Sequence, residues 1–470
     1  MIGPRVVAPL NRRGDRSTAA LPPPRGRLSW RRRDVRDSAS SERPLSLIRI
    51  LAALGCLLAA ACGERPATTG AAPITLVFKH AKILGPSDPV PGLLRAFEAA
   101  HPGVRVRAES LTWSSDEQHQ FYVVNLEGGN PGFDVMMLDV IWVPEFARAG
   151  WLLDLTPFLG PDPLEPYFPA AVEPSRQDGG IWALPWFMNV GLLYYRKDLL
   201  ARHGLVPPAS YAELVAQVKQ IRAAEPGARL DGLLWQGKQY EGMVVNVLEA
   251  MWANGTSLLG PAGEVFPDPE RAAEALGFLR GLIADGVSPP WTTAADEELT
   301  RRAFQDGRAV FLRNWPYAMD LFAQPDSRVR GNVGLAPLPR LAARGPIGAG
   351  SSGGAHLGVH RGTRHPAEAA ALVRFLTGRE AERAMALGAA LSPSWPALYE
   401  DPALVREHPD FPAILSLSMR ARPRPVTPAY LMMSTMLQPQ FSAALVGVKS
   451  PRQAVADGQR ELGHLLESLR

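Results

Sequence analysis

Cysteine is nearly missing from this chain. Two residues, Cys56 and Cys62, occur in 470, and both lie near the N-terminus. Everything after residue 62 therefore has no disulfide and no cysteine-based metal site. A domain without disulfides must be held by its apolar core, and the roughly 400 residues that follow can supply one. Also missing are the G-x-x-x-x-G-K-[ST] phosphate loop, the H-E-x-x-H zinc motif and the EF-hand loop. The chain is thus not a P-loop ATPase. No short internal repeat occurs after residue 73. A basic surface is missing too, despite a formal charge of +4. Residues 1–61 hold 12 of the 50 basic and 4 of the 46 acidic residues, which leaves 38 against 42 and a net charge of −4 for the rest. Nothing in that balance favours nucleic acid as a partner.

What is present begins with a targeting segment. Residues 1–45 are rich in Arg, Pro and Ser and carry no apolar period, so they predict no packed structure, or lie ahead of the true start. The run from Leu51 to Cys62 is apolar but too short for a bilayer, which needs roughly 20 residues. It reads as the hydrophobic region of a signal peptide. Its end, Leu58-Ala-Ala-Ala-Cys62-Gly63, resembles the bacterial lipobox, with Ala59 where that motif prefers Leu. The resemblance implies lipidation of Cys62 and a lipid-anchored, extracytoplasmic protein. The alternative is a plain secretory peptide with a chance cysteine. Arg31–Arg33 lie too far from the apolar run for a twin-arginine signal. Residues 63–73 are small and Pro/Gly/Thr-rich, suited to a tether.

From residue 74 the pattern alternates between strands and helices. Strands are predicted at Ile74–Phe78, Val104–Val106 and Asp134–Leu138, the last apolar enough to be buried on both faces. Helices are predicted over Leu93–Ala100 and from a Ser/Asp cap at Ser114–Glu117. The rhythm resumes with strands at Leu192–Tyr195, Leu233–Trp235 and Ala309–Arg313. Helices are predicted at Tyr211–Arg222, from Glu241, and at Ala367–Leu376, closed by Gly378. An open α/β sheet architecture follows.

Five segments in order then carry a specific resemblance. They are Phe133–Leu159 (FDVMMLDVIWVPEFARAGWLLDLTPFL), Ala183–Leu200, Trp235–Gly255, Ala303–Tyr317 and Arg424–Tyr430. Together they make residues 74–465 resemble the family 1 extracellular solute-binding proteins, the trehalose/maltose-binding branch most of all. The resemblance implies a type II periplasmic-binding-protein fold: two α/β lobes, a ligand cleft between them, and multiple crossover strands. It maps lobe one to residues 74–183 plus 338–392 and lobe two to 184–337 plus 393–470, with a first crossover at Leu184-Pro185-Trp186. It also implies the function: a monomeric substrate-binding component of an ABC-type importer, without cofactor or metal. Such a protein captures a di- or oligosaccharide and hands it to the permease subunits.

The chemistry of such a ligand can be matched to residue types. Carboxylates and guanidinium forks take adjacent hydroxyls, and charge strengthens each bond. Aromatic rings cover the C–H faces. Of the 11 Trp, those at 113, 142, 186, 235 and 315 sit beside polar residues in predicted loops, whereas Trp151 and Trp182 read as core. Asp139 follows a buried strand, where open α/β sheets bind ligands; its plainer role is to cap a helix near Val143. Glu241 is either a ligand group, with Gln236 and Tyr240, or a first-turn Glu favoured by the helix dipole. Arg424 is held extended by Pro425 and is either a hydroxyl fork or a solvated cation. Asp88, Ser115, Trp142, Trp186, Asn189, Gly354 and His356 complete the candidate set. Asn189 and the Gly354-Ala355-His356 run depart from the family's usual residues, which bears on the sugar's identity. In a ligand-free open cleft Asp139, Trp315 and Arg424 are expected to be solvated.

Gly350-Ser351-Ser352-Gly353-Gly354 fits G-x-S-x-G, but that elbow needs a helix after it, and His356–Val359 reads as a strand. No pair of carboxylates has the context of a glycosidase couple. A secreted glycoside hydrolase, or a sugar sensor or adhesin without transport, remain the alternatives.

Overall fold

In the computed structural model, residues 73–469 are described, except 84–86, 113, 130–131, 228, 344 and 349. The readings made for residues 1–62, for Cys62, for most of the tether and for Trp113 lie outside them. Two sheets organise the chain. The first orders its strands as Val104–Leu111, Ile74–Ala81, Val135–Asp139, Ser352–Val359 and Ala183–Val190. The second runs Val333–Ala336, Leu192–Arg196, Ala309–Asn314 and Asp231–Leu234.

The Val135–Asp139 strand sits at the centre of the first sheet, and its first four residues are buried, as its apolar run dictates. It pairs in parallel with Ile74–Ala81 on one side. On the other side it pairs antiparallel with Ser352–Val359, so the sheet is mixed. Ser114 caps the helix Ser115–Glu127 by accepting the Glu117 N–H, as its position before Asp116 and Glu117 predicts. Gly378 does not close the Pro366–Leu376 helix. Its φ of −76° is ordinary, and it is the N-cap of a further helix, Arg379–Ala389, while Thr377 ends the first one.

The Ala183–Val190 strand pairs along its length with Ser352–Val359. The chain therefore leaves the first sheet at Gly191, not at Leu184–Trp186, before Leu192 opens a strand of the second. Helix Glu241–Ala253 is buried on every side, beyond the one apolar stripe that Met243, Val244, Val247, Leu248 and Met251 make in its sequence. It packs against Pro269–Ala284 and Tyr430–Leu445, and the C-terminal helix Pro451–Ser468 packs on those two in turn. Three apolar clusters result. One of them joins Met188 and Val190 of the first sheet to Leu192, Tyr194 and Leu312 of the second.

Candidate functional site

Three chain segments pass side by side where the two sheets meet. Gly191 N–H donates to the Ser351 carbonyl at 3.0 Å, Ser352 N–H to Arg422 O at 2.8 Å, and Arg422 N–H to Gly350 O at 2.9 Å. The packing is backbone on backbone. A Cβ on Gly350 would overlap the Gly191 carbonyl, and one on Gly191 would overlap the Glu249 carboxylate. Glycine is therefore dictated at both positions.

Beneath this braid lies a buried ion pair. Glu249, from the fully buried helix, receives Arg313 Nε at 2.7 Å and Nη2 at 2.6 Å in a bidentate fork. Its Oε1 also accepts the Ser351 N–H at 2.9 Å. Arg313 Nη1 donates to Gln236 Oε1 at 3.3 Å, and the guanidinium carbon lies 4.0 Å from the centroid of the Trp315 ring. Trp315 is half-buried. Its Nε1 donates to Glu297 Oε1 at 3.4 Å, while Tyr240 donates to Glu297 Oε2 at 2.6 Å. The tip of the Trp315 ring lies 3.4 Å from where Gly353 would carry a Cβ, and Gly353 is the register partner of Asn189.

A second cluster centres on Arg424. Its Nη1 donates to Glu241 Oε1 at 2.9 Å and its Nη2 to Asp139 Oδ1 at 3.2 Å. Tyr430 donates to the same Glu241 oxygen at 2.8 Å, and Ser434 donates to the other. Ser115 donates to Asp139 Oδ2 at 3.3 Å. Burial pushes the Glu241 carboxyl above its ordinary range, against the pull of Arg424, Ser434 and Tyr430. Burial works against the Arg424 cation, but Asp139 and Glu241 hold its pKa above the ordinary value. Asp116, beside Ser115, is raised by burial and then by the Asp139 charge.

The junction thus gathers Ser115, Asp139, Glu241 and Arg424 in one cluster, and Asn189, Tyr240 and Trp315 in another. Gln236 joins them only through Arg313 and has no exposed surface; its amide is used by Thr300, Arg313 and Asn246. Gly354 belongs to the Ser352–Val359 strand with φ of +115°, a conformation that only glycine takes without strain. The remaining candidates lie elsewhere. Trp142 is 1% exposed and stacks on Phe146. Trp186 is equally buried, against Phe78 and Phe187. His356 is buried, with Nε2 at 2.8 Å from the Ala171 carbonyl. Asp88 is exposed, and its carboxylate accepts the Val90 N–H at the start of a helix. Trp235, also read as a loop residue, is buried and donates to Ser288 Oγ at 3.0 Å.

One expectation is overturned outright. Arg424 is not solvated in the ligand-free protein; it is 6% exposed and paired with Glu241, itself 5% exposed. Glu249, Arg313, Glu297, Tyr430 and Ser434 were not anticipated. A signal did exist for Arg313: a cation at the end of the apolar strand Ala-Val-Phe-Leu-Arg-Asn must find a buried partner. The G-x-S-x-G match fails structurally, because a strand begins at Ser352 and both serines are buried. Carboxylates, a guanidinium and two ring systems facing one junction suit a ligand rich in hydroxyls and C–H faces.

Comparison with known proteins agrees with this reading. Residues 86–383 match the family model for the bacterial extracellular solute-binding protein. A Deinococcus radiodurans protein described as a probable ABC transporter-binding protein is 32% identical over 329 residues, 69% of this chain and 77% of that one. Maltose-bound MalE3 of T. maritima superposes with a TM-score of 0.76 at 35% identity, covering 83% of this chain and all of that one. The GacH receptor of Streptomyces glaucescens, solved unliganded and with acarbose, shares the fold, with a TM-score of 0.73 at 22% identity over 84% of this chain and 99% of that one.

Proposed function

We propose that this chain, which belongs to the bacterial extracellular solute-binding protein family, captures a sugar between its two lobes and delivers it to the permease of an ABC importer. One observation carries the reading. Charged hydrogen-bonding groups (Asp139, Glu241, Arg424) and aromatic rings (Tyr240, Trp315) converge where the two sheets meet. The likeness to a maltose-bound protein supports a di- or oligosaccharide as the ligand. In this reading Asp139 and Ser115 belong to lobe one, built on the first sheet. Tyr240, Glu241 and Trp315 belong to lobe two, built on the second. Arg424 spans them. Closure is a hinge motion about the braided crossings.

A member of an extracellular family works outside the cytoplasm, and we place this chain there as a monomer tethered by lipid on Cys62. Among the described residues no helix is long and apolar enough to cross a membrane. The hydrolase alternative finds no support at the junction. A glycosidase needs two carboxylates acting on the substrate, whereas Asp139 and Glu241 are both tied to Arg424.

The test is calorimetric titration of the protein lacking residues 1–62 with a panel of mono- and disaccharides that includes maltose. Binding without turnover is expected, and a thousand-fold excess over Kd should add about 4 kcal/mol of stability. A full panel without heat or thermal shift would remove the sugar from this reading, and glycoside cleavage would move the case to a hydrolase.

A further inference from the structure

The Glu249–Arg313 pair touches both the crossings and the aromatic group. Glu249 Oε1 is shared between Arg313 Nη2 and the backbone N–H of Ser351, in a crossing segment. Gly191, in another crossing, has no side chain because the same carboxylate and Arg313 Nη2 occupy that space. On its far side the guanidinium stacks on Trp315. A buried carboxylate cannot give up a charged donor or a backbone donor without a large cost. A displacement of Ser351 relative to the Glu241–Ala253 helix must therefore carry the carboxylate with it. The bidentate fork holds the guanidinium plane to the carboxylate, so the plane under Trp315 follows.

We infer that Arg313 is a positioning residue: through Glu249 it ties the pose of the Trp315 ring to the backbone of the interlobe crossings. In the sugar-binding reading above, on which this rests, Trp315 presents its face to the ligand only when the crossings are set for it. Lysine cannot replace Arg313 here, because an ammonium offers neither the planar fork nor the stacking surface.

The experiment uses the protein labelled with 5-fluorotryptophan and observed by fluorine NMR without ligand, the Trp315 resonance being assigned by its loss in Trp315→Phe. Arg313→Lys and Glu249→Gln are each expected to shift that resonance, with the other tryptophan resonances in place. Both should speed hydrogen exchange of the Ser351 amide by at least about tenfold, the equivalent of one lost bond. With maltose as probe, Arg313→Lys should weaken binding about tenfold in the wild-type background, as loss of a stacked, oriented ring implies. In a Trp315→Ala background it should change binding less than about twofold, because coupled residues are not additive. An unmoved Trp315 resonance in either folded variant overturns the inference, as does an equal loss of affinity in both backgrounds. If Glu249→Gln does not fold, Arg313→Lys, which keeps the buried charge, decides alone. If maltose does not bind the wild type, the choice of sugar has failed, and the resonance and exchange measurements still judge the coupling.

Discussion

Replacing Arg424 by methionine should destabilise the ligand-free protein far more than removing the Asp139 charge does. The structure gives the reason. The Arg424–Glu241 contact is 2.9 Å between side chains 4% and 6% exposed, whereas the Arg424–Asp139 contact is 3.2 Å and the Asp139 side chain is 24% exposed. At an effective dielectric of about 20, two charges 2.9 Å apart attract by about 6 kcal/mol before desolvation is counted. Arg424→Met leaves Glu241 buried with only Tyr430 and Ser434 as donors. Removing one partner of a buried pair costs roughly 3–5 kcal/mol. Asp139→Asn breaks a contact that water already reaches, so about 1 kcal/mol or less is expected. The two variants also differ in pH dependence. Burial already raises the Glu241 pKa with its cation present, and without Arg424 it rises further. A carboxyl raised in the folded state binds a proton more readily there than in the unfolded chain, so the deficit of Arg424→Met should shrink as pH falls. Urea unfolding of the ligand-free variants at pH 8 and pH 5 measures this, and Glu241→Gln in the same chain should restore most of the loss. If Arg424→Met unfolds at the wild-type midpoint at both pH values, the clasp is not formed in the ligand-free protein and the reasoning is wrong.

Three further outcomes are expected. His356 is held neutral by burial, its pKa lowered from 6.5 to about 4. Its contribution is complete above pH 6.5 and falls away between 6.5 and 4, by about 3 kcal/mol in all; His356→Gln should flatten the wild-type decline over that window in denaturant titrations. Gly191→Ala should displace the Glu249–Arg313 fork, since the new Cβ would lie 2.6 Å from Arg313 Nη2, and lower stability by about 2–4 kcal/mol; an unchanged melting temperature would refute the packing argument. Cys62→Ser should release a folded protein from membranes into the soluble extracytoplasmic fraction, and wild-type protein found soluble and unlipidated by mass spectrometry would remove the anchor.

Local pattern made the elements legible. An apolar run marks the strand predicted at Asp134–Leu138 and found at Val135–Asp139, and Ser114 ahead of two acidic residues marks a helix start. What escaped was pairing between distant positions. Glu249 and Arg313 are 64 residues apart, and Arg424 and Glu241 are 183 apart. No local period announces such a bond. The tryptophans fared unevenly for a related reason. Polar neighbours in sequence drew attention to Trp142 and Trp186, but a residue's surroundings are set by what folds over it, and both are covered by other aromatic rings. Trp315 lies at the junction because its strand ends there, at Asn314. Asp139 was placed by the same logic.

The order in which the strands are made differs from the order in which they lie. Val135–Asp139 and Ala183–Val190 are not neighbours in the first sheet; Ser352–Val359 fills the gap between them. Until the chain is complete to Val359, each of those two strands has a bare edge, and bare edges invite pairing with other chains. The second sheet, Leu192 to Ala336, is encoded inside that gap. The lobes therefore cannot fold one after the other from the N-terminus, and loops of such length make closure slow. The first sheet thus stays incomplete, and its central strand half-paired, until about three quarters of the chain has been made.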